Sequence, residues 1–378
     1  MTPLSARPLL KDQLFNAEKL KRLSEPLEKC CAAFDAAAFE RDTLAGFAER
    51  ELRERIVWIR TQLRRHLPGD YRQAVTFLLQ ALPEPCNPAL LDNDFGDFIY
   101  APYGDFVAHY GCTAEDLDFS LAALCEITTR FSAEYAIRPF LNAFPEETLA
   151  QLQQWINHPH YHVRRLVSEG TRPRLPWGQK VSLSWSQCEP LLTALHADPT
   201  GFVRRSVANH LNDWSKTHPE QVLHCLQQWR KQQQASSTHL QYLCQHSLRT
   251  LVKQGNSTAL ALLGYDVEAS YTVSDFSLTP RVALGEALTF GFTLQTQAKD
   301  PQRFVVDYVL FYRNKKGQWT PKVYKLKSCV LAPGETLSLQ KSLVLQQRST
   351  RTLYPGVQGM ALQINGHQGP RFDFELHH

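Results

Sequence analysis

The chain has 378 residues, 43% of them hydrophobic and 21% charged, which suits two or three globular units and excludes a mini-protein, a fibrous repeat or wholesale disorder. The longest apolar stretches, such as ALALL at 259–263, fall far short of the ~18 residues that span a bilayer, and the opening MTPLSARPLLKDQLF has no apolar core of a secretory leader. The net charge of +4 hides a gradient: residues 1–150 carry 16 basic and 23 acidic side chains, residues 151–270 carry 12 and 7, and residues 271–378 carry 13 and 7, so polyanion binding is expected of the last two segments.

In chain order, the first 265 residues read as helix after helix. Leu52, Ile56, Ile59 and Leu63 place one apolar stripe on a helix that ends at Pro68-Gly69. PEPCNP at 83–88 is a further break, and amphipathic runs follow at about 116–130, 133–142, 146–157, 160–170, 187–197, 200–215, 219–233 and 238–254. Two of these helices share an entry: HPHYHVRRLV at 158–167 and DPTGFVRRSV at 198–207 match at an offset of 40 residues. That period suits paired-helix HEAT-like repeats, because one helix pair cannot bury its apolar face alone and a stack can.

From about residue 271 the period changes to 2. Leu288, Phe290, Phe292 and Leu294 alternate with small or polar residues, as do Leu337, Leu339, Lys341, Leu343 and Leu345, and NKKG, APGE, YPG and NGHQG punctuate the runs. The expected fold is mainly α, an α-solenoid over 1–268, followed over 271–378 by an immunoglobulin-like all-β sandwich of about seven strands with no Cys-Trp-Cys core. Nine scattered cysteines, an odd number with Cys30 and Cys31 adjacent, match no disulfide framework or zinc pair and point to a reduced, cytoplasmic chain.

The most informative stretch is SEGTRPRLPW at 168–177. It places Glu169 at the C-terminal end of a helix, where the macrodipole disfavours an anion, and follows it with Arg172, Arg174 and Trp177 on a loop stiffened by two prolines. A solvated glutamate on a turn is the alternative. Arg164, Arg165, Arg204 and Arg205 fall at equivalent points of successive repeats, so they are expected either to line up as a basic ladder for a phosphate backbone or to form local ion pairs, with one of each pair packed inward. Glu134, in SAEYAIRPF, has a plain alternative as a helix-surface partner of Arg138. Trp177 has two readings, a cap on the repeat core and a ring that stacks on a nucleic acid. Asn212 and Asp213 read as a helix cap or as support for the site. His158, His160 and His162 lack carboxylate or cysteine partners and are not taken as a metal site.

HVRRLVSEGTRPRLPW, followed by DPTGFVRRSVANHLNDWSKTHPE and preceded by SAEYAIRPFL, resembles the HEAT-like-repeat alkylpurine DNA glycosylases, specifically the AlkC branch carrying a C-terminal immunoglobulin-like domain. The resemblance implies a monofunctional glycosylase of base excision repair that excises cationic methylated bases, chiefly 3-methyladenine and 3-methylcytosine, from duplex DNA without a deep base-flipping pocket. It implies catalytic carboxylates at Glu134 and Glu169 and an active-site aromatic at Trp177, with no metal and no cofactor. The expected partner is double-stranded DNA with alkylated bases, with no membrane, no obligate protein partner and a bacterial cytoplasmic location at the nucleoid. DNA contacts are expected from Arg164, Arg165, Arg172, Arg174, Arg204 and Arg205, and from Lys315, Lys316, Lys322, Lys325 and Lys327 in YRNKKGQWTPKVYKLK at 312–327. The competing class is a HEAT-repeat protein that binds damaged or bent DNA without chemistry.

Overall fold

The computed structural model describes residues 9–89, 95–232, 236–347 and 351–378. Its contacts form two compact units, one running to Trp214 with a short segment ending at His239, the other made of Ser215–Gln232 and Leu240–His378.

The first unit contains α1 (Leu10–Leu14), α2 (Ala17–Cys30), α3 (Ala36–Ala45), α4 (Leu52–His66), α5 (Tyr71–Gln80), α6 (Ala101–Tyr110), α7 (Leu117–Thr128), α8 (Ile137–Ala143), α9 (Pro145–Trp155), α10 (Tyr161–Gly170), α11 (Trp185–Leu195) and α12 (Gly201–Trp214). The stripe read on α4 is partly inward: Ile59 and Leu63 are fully buried, and Glu51 and Glu54 close a capping box at its start. The helices stack as a HEAT-like solenoid in which α9 packs on α10, α11 on α12, and α10 on α12.

The repeated Val-Arg-Arg has a structural explanation in that stack. Arg164 donates through Nη1 to the carbonyl of His158, at 2.8 Å, and Arg204 makes the same bond to the carbonyl of Asp198. Each first arginine thus ties the start of its helix to the turn six residues before it. Arg164 also grips the Asp198 carboxylate of the next repeat at 2.6 and 3.1 Å. The row of solvent-facing cations expected from the offset of 40 is therefore not what forms, because Arg164 and Arg204 point into turns and Arg165 points into the site described below.

Two helix expectations change. The run 133–142 is helical only from Ile137, and residues 134–136 form a turn. The run 238–254 is interrupted at Leu248, giving α14 (Ser237–Ser247) and α15 (Arg249–Lys253) after α13 (Pro219–Gln232) and before α16 (Ser257–Leu262). The last residue of the run 219–233 lies outside the described residues. Among the described residues no helix is long and apolar enough to cross a membrane.

The second unit joins these later helices to a β-sandwich. Its strands are β1 (Tyr271–Leu278), β2 (Arg281–Ala283), β3 (Ala287–Thr296), β4 (Gln302–Arg313), β5 (Trp319–Leu331), β6 (Thr336–Val344), β7 (Gly356–Ile364), β8 (His367–Gln368) and β9 (Phe372–His377). One sheet runs β1-β3-β6 and the other β2-β9-β7-β4-β5, with β8 paired to β7. Among the described residues nine strands stand where seven are expected, because β2 and β8 are too short to show any alternation. Leu288, Phe290, Phe292 and Leu294 of β3 face Phe304, Val306, Tyr308, Leu310 and Tyr312 of β4 across one core. The other face of β4 is buried too, at Val305, Asp307 and Val309. On that side Gln363 donates to the Lys253 carbonyl at 3.1 Å and Asn365 to that of Asp266 at 2.7 Å, so the segment after α14 packs onto the sandwich. The change from helix to strand falls between Leu262 and Tyr271, while the contacts divide the chain earlier, at Trp214.

Candidate active site

His160 caps helix α10, its ring accepting from the His162 backbone, and the helix runs from Tyr161 to Gly170 with nearly every side chain buried. Its tight fit demands glycine at the end: a Cβ on Gly170 would lie 2.5 Å from Ile137 Cγ2. The chain then turns through Thr171–Gln179, and what holds this loop is Arg138. Fully buried, Arg138 donates through Nη1 to the carbonyls of Gly170 and Arg172, at 2.8 and 2.9 Å, and through Nε to that of Gln179. It is not the surface partner of Glu134, because α8 starts after Glu134 and aims Arg138 the other way.

Glu169 is buried on the last turn of α10. Its Oε1 accepts from Arg172 Nη1 at 2.6 Å and its Oε2 from Ser206 Oγ at 2.6 Å, with Arg165 Nη2 3.6 Å away. Burial by itself raises its pKa, but the charges of Arg165 and Arg172 and the bond from Ser206 outweigh that and bring it below the usual glutamate value. Glu134 has a parallel setting. Its Oε2 accepts from Ser132 Oγ and from Arg165 Nη1, the latter at 3.0 Å. One guanidinium therefore stands between the two carboxylates, each of which also has its own serine. Arg172 is completed by Asp213, which accepts from Nε and Nη2 at 2.9 and 2.8 Å. Three carboxylates are interleaved with the guanidiniums of Arg165 and Arg172, and the Arg138 charge also acts on Glu169 and Arg172, so fixed charges of both signs are held in one buried cluster. The Arg165 guanidinium is capped by Phe202, 4.3 Å from its ring centroid, and by the half-exposed Phe95 at 5.4 Å. Behind Glu169, burial and then the Arg172 charge push His210 down to about 3, so its ring is neutral and donates from Nδ1 to the Ser168 carbonyl at 2.9 Å.

Trp177 lies beyond this cluster and is 59% exposed. It occupies the third position of a turn closed by Gly178 N–H to the Leu175 carbonyl at 3.1 Å, with Pro176 before it, and its φ is 66°. That is where a type II turn takes glycine. An L-residue there costs roughly 1–2 kcal/mol, and the strain holds a large indole in solvent. Gly178 lets the turn sit on Arg138, since a Cβ there would be 3.1 Å from its Cδ and Nε. Substituting Trp177→Gly is expected to leave thermal stability unchanged or raise it by up to about 1 kcal/mol, read by a melting curve. A variant less stable than the parent contradicts the strain.

The remaining sequence candidates are placed as follows. Arg165 and Arg172 are buried in the carboxylate cluster, Arg174 is exposed on the loop, and Arg205 is half-buried on α12. The histidines do not meet as ligands: His160 Nε2 bonds the Cys86 carbonyl and His162 Nδ1 the Thr128 carbonyl, both at 2.8 Å. Among the described residues no group of three or more His, Cys, Asp or Glu could hold a metal ion. In the second unit Lys315, Lys316, Lys322, Lys325 and Lys327 are all exposed. The last three lie on β5, an edge strand, where lysine also blocks strand addition. Lys322 stands opposite Leu310 and Lys325 opposite Asp307, on opposite faces, and Lys327 lies past a bulge. Beside them the Trp319 ring is covered by Arg313 and Arg371, 3.5 and 4.5 Å from its centroid.

Sequence reasoning did not give Ser132, Ser206, Phe95, Phe202 or the role of Arg138, and it left Asp213 undecided. Only Asp213 carried a signal, as an acid in the repeat that follows Glu169.

The arrangement has known relatives. Residues 127–246 match the family model of DNA alkylation repair enzymes, and residues 272–378 match that of the C-terminal Ig-like domain of YhaZ. The chain is 32% identical over 370 residues to the uncharacterised protein YhaZ of Bacillus subtilis, covering 96% of this chain and 98% of that one. It superposes on the Pseudomonas fluorescens alkylpurine DNA glycosylase AlkC, solved bound to DNA containing an abasic site analogue, with a TM-score of 0.88, at 36% identity, over 98% of this chain and 100% of that one. The chain belongs to the AlkC-type DNA alkylation repair enzymes. In this AlkC-type chain the matched repair segment holds both glutamates, both cluster arginines and Trp177.

Proposed function

We propose that the chain is a monofunctional DNA glycosylase that hydrolyses the N-glycosidic bond of cationic alkylated bases, chiefly 3-methyladenine and 3-methylcytosine, in duplex DNA. The observation that carries this reading is the pair Glu134 and Glu169 around one arginine, with Glu169 held ionised. A base methylated at N3 is already positive, so it leaves without a general acid. What remains is a sugar with oxocarbenium character, and fixed carboxylates stabilise that charge and orient the attacking water. Arg165, Arg172 and Ser206 position the carboxylates. Phosphate contacts fall to Arg174 and Arg205 in the first unit and to the five lysines in the second, whose cation–aromatic surface suits a polyanion. The protein acts on chromosomal DNA in the cytoplasm.

The test is direct. Full-length protein incubated with methylated duplex is expected to release free 3-methyladenine and 3-methylcytosine, at the same rate with EDTA present. DNA bound without any base released, by a preparation with intact helical circular dichroism, favours the non-catalytic reading.

A further inference from the structure

Beside the carboxylates, and not lined by them, is a cavity of about 810 Å³ walled by α4, α6, the start of α8 and the Trp177 turn. That volume lies in the range of small-molecule sites. Two of its residues tie it to the reaction centre. Ser132 lines it while donating to Glu134, and Tyr135, the next residue after Glu134, lines it with 38% of its surface exposed. Trp177 forms another part of the wall, so each of the two segments that supply a carboxylate also supplies one exposed aromatic ring. The floor is made smooth by Gly104, where a Cβ would come within 3.3 Å of Ala136 Cβ.

The charges around it are mostly committed. Asp105 pairs with Arg60 at 2.9 Å, Glu54 caps its own helix, and Arg50 is held by the Gly46 carbonyl and lies over the Trp58 ring. Arg53 and Glu49 are different: both are exposed, line the cavity and have no hydrogen-bond or ion-pair partner among the described residues, and of the two Arg53 is the one whose charge acts on the Tyr135 hydroxyl. A guanidinium beside open aromatic rings is the chemistry that holds a nucleotide, with the phosphate on the cation and the base on the rings.

We propose that this cavity is a subsite for the nucleotide adjoining the damaged one, with its base against Tyr135 and Trp177 and its phosphate on Arg53. A strand whose damaged sugar meets Glu134 and Glu169 passes its neighbouring nucleotide over Ser132 and Tyr135. The freed base is a poorer fit because it offers Arg53 no anion. The inference rests on the glycosylase reading for which sugar is attacked, and its test therefore reads binding.

Full-length protein is irradiated with duplexes that carry an abasic-site analogue and 5-iodouracil at one position on either side of it. The expected result is a crosslink to Tyr135 or Trp177 from one of the two flanking positions, which also fixes strand direction. Affinity is measured alongside. Arg53→Gln is expected to reduce the slope of log Kd against log salt by about 1, and Val57→Trp, which plugs the mouth from a half-exposed position, to weaken binding at least about fivefold. Crosslinks that map elsewhere, or both variants binding like the parent in affinity and slope, overturn the subsite. Competition by free dAMP that either variant abolishes, without any crosslink, overturns it in favour of a mononucleotide site. Base release without crosslinks leaves the glycosylase standing and the subsite fallen, and crosslinks without base release do the reverse.

Discussion

Glu169→Gln is expected to slow base release by about 100- to 1000-fold, the usual cost of removing one preorganised electrostatic group from a transition state, with little change or a gain in affinity for abasic duplex. The substitution keeps the size of the side chain and, through its one amide oxygen, the bond from Arg172, while it puts an NH2 donor where Oε2 accepts from Ser206 and removes the charge that the proposed reaction sets against the sugar. Arg172 keeps Asp213 and Arg165 keeps Glu134, so neither guanidinium is left without an anion and the fold is expected to hold. Single-turnover rates read the first effect and equilibrium binding the second. Equal rates in parent and variant place the chemistry elsewhere. The pH profile follows from the same charge. Because the folded pKa of Glu169 lies below its unfolded value, which is about 4.3, its ionised form contributes stability in full above that pH and loses it as pH falls through the folded pKa. The acid limb contributed by Glu169 is accordingly expected below the ordinary glutamate range, and an acid limb near neutrality contradicts the assignment.

The second large effect is on the loop. Arg138→Leu is expected to destabilise the protein by about 3 kcal/mol and to abolish measurable base release, because the carbonyls of Gly170 and Arg172 lose a charged donor in a buried place and that of Gln179 in a partly buried one. The loss is moderated by the arginine's own cost of burial, which brings its pKa down to about 10. Arg138→Lys keeps the charge but replaces a planar fork by a single ammonium, so it is expected to restore part of the stability and little of the activity. Denaturation midpoints report the stability, and hydrogen exchange of the amides between Gly170 and Gln179 reports the loop. Unchanged exchange in Arg138→Leu means that the loop is held by something else.

The sequence by itself determined the order of the elements and the class of fold. The period of the α4 stripe, the offset of 40 between two helix entries and the alternation from Leu288 to Leu294 are all relations between residues close along the chain, and backbone geometry converts them directly into helix or strand. It also located the decisive segment, because a glutamate at a helix C-terminus followed by two prolines and a tryptophan is locally unfavourable and needs a reason. Helix bounds were less legible: Glu134 was placed on a helix, whereas α8 begins at Ile137 because the chain first turns to bring Glu134 to Arg165. Only the tertiary structure decided which arginine of each Val-Arg-Arg faces inward, that Arg138 holds carbonyls up to 41 residues away, and that Ser132, Ser206 and Asp213 complete the cluster. Those partners lie on different turns of the solenoid, at separations no local period encodes. Packing of α10 on α12 brings them within bonding distance, and burial then makes each missing partner costly, which is why the pairing is specific once the helices have stacked and invisible before.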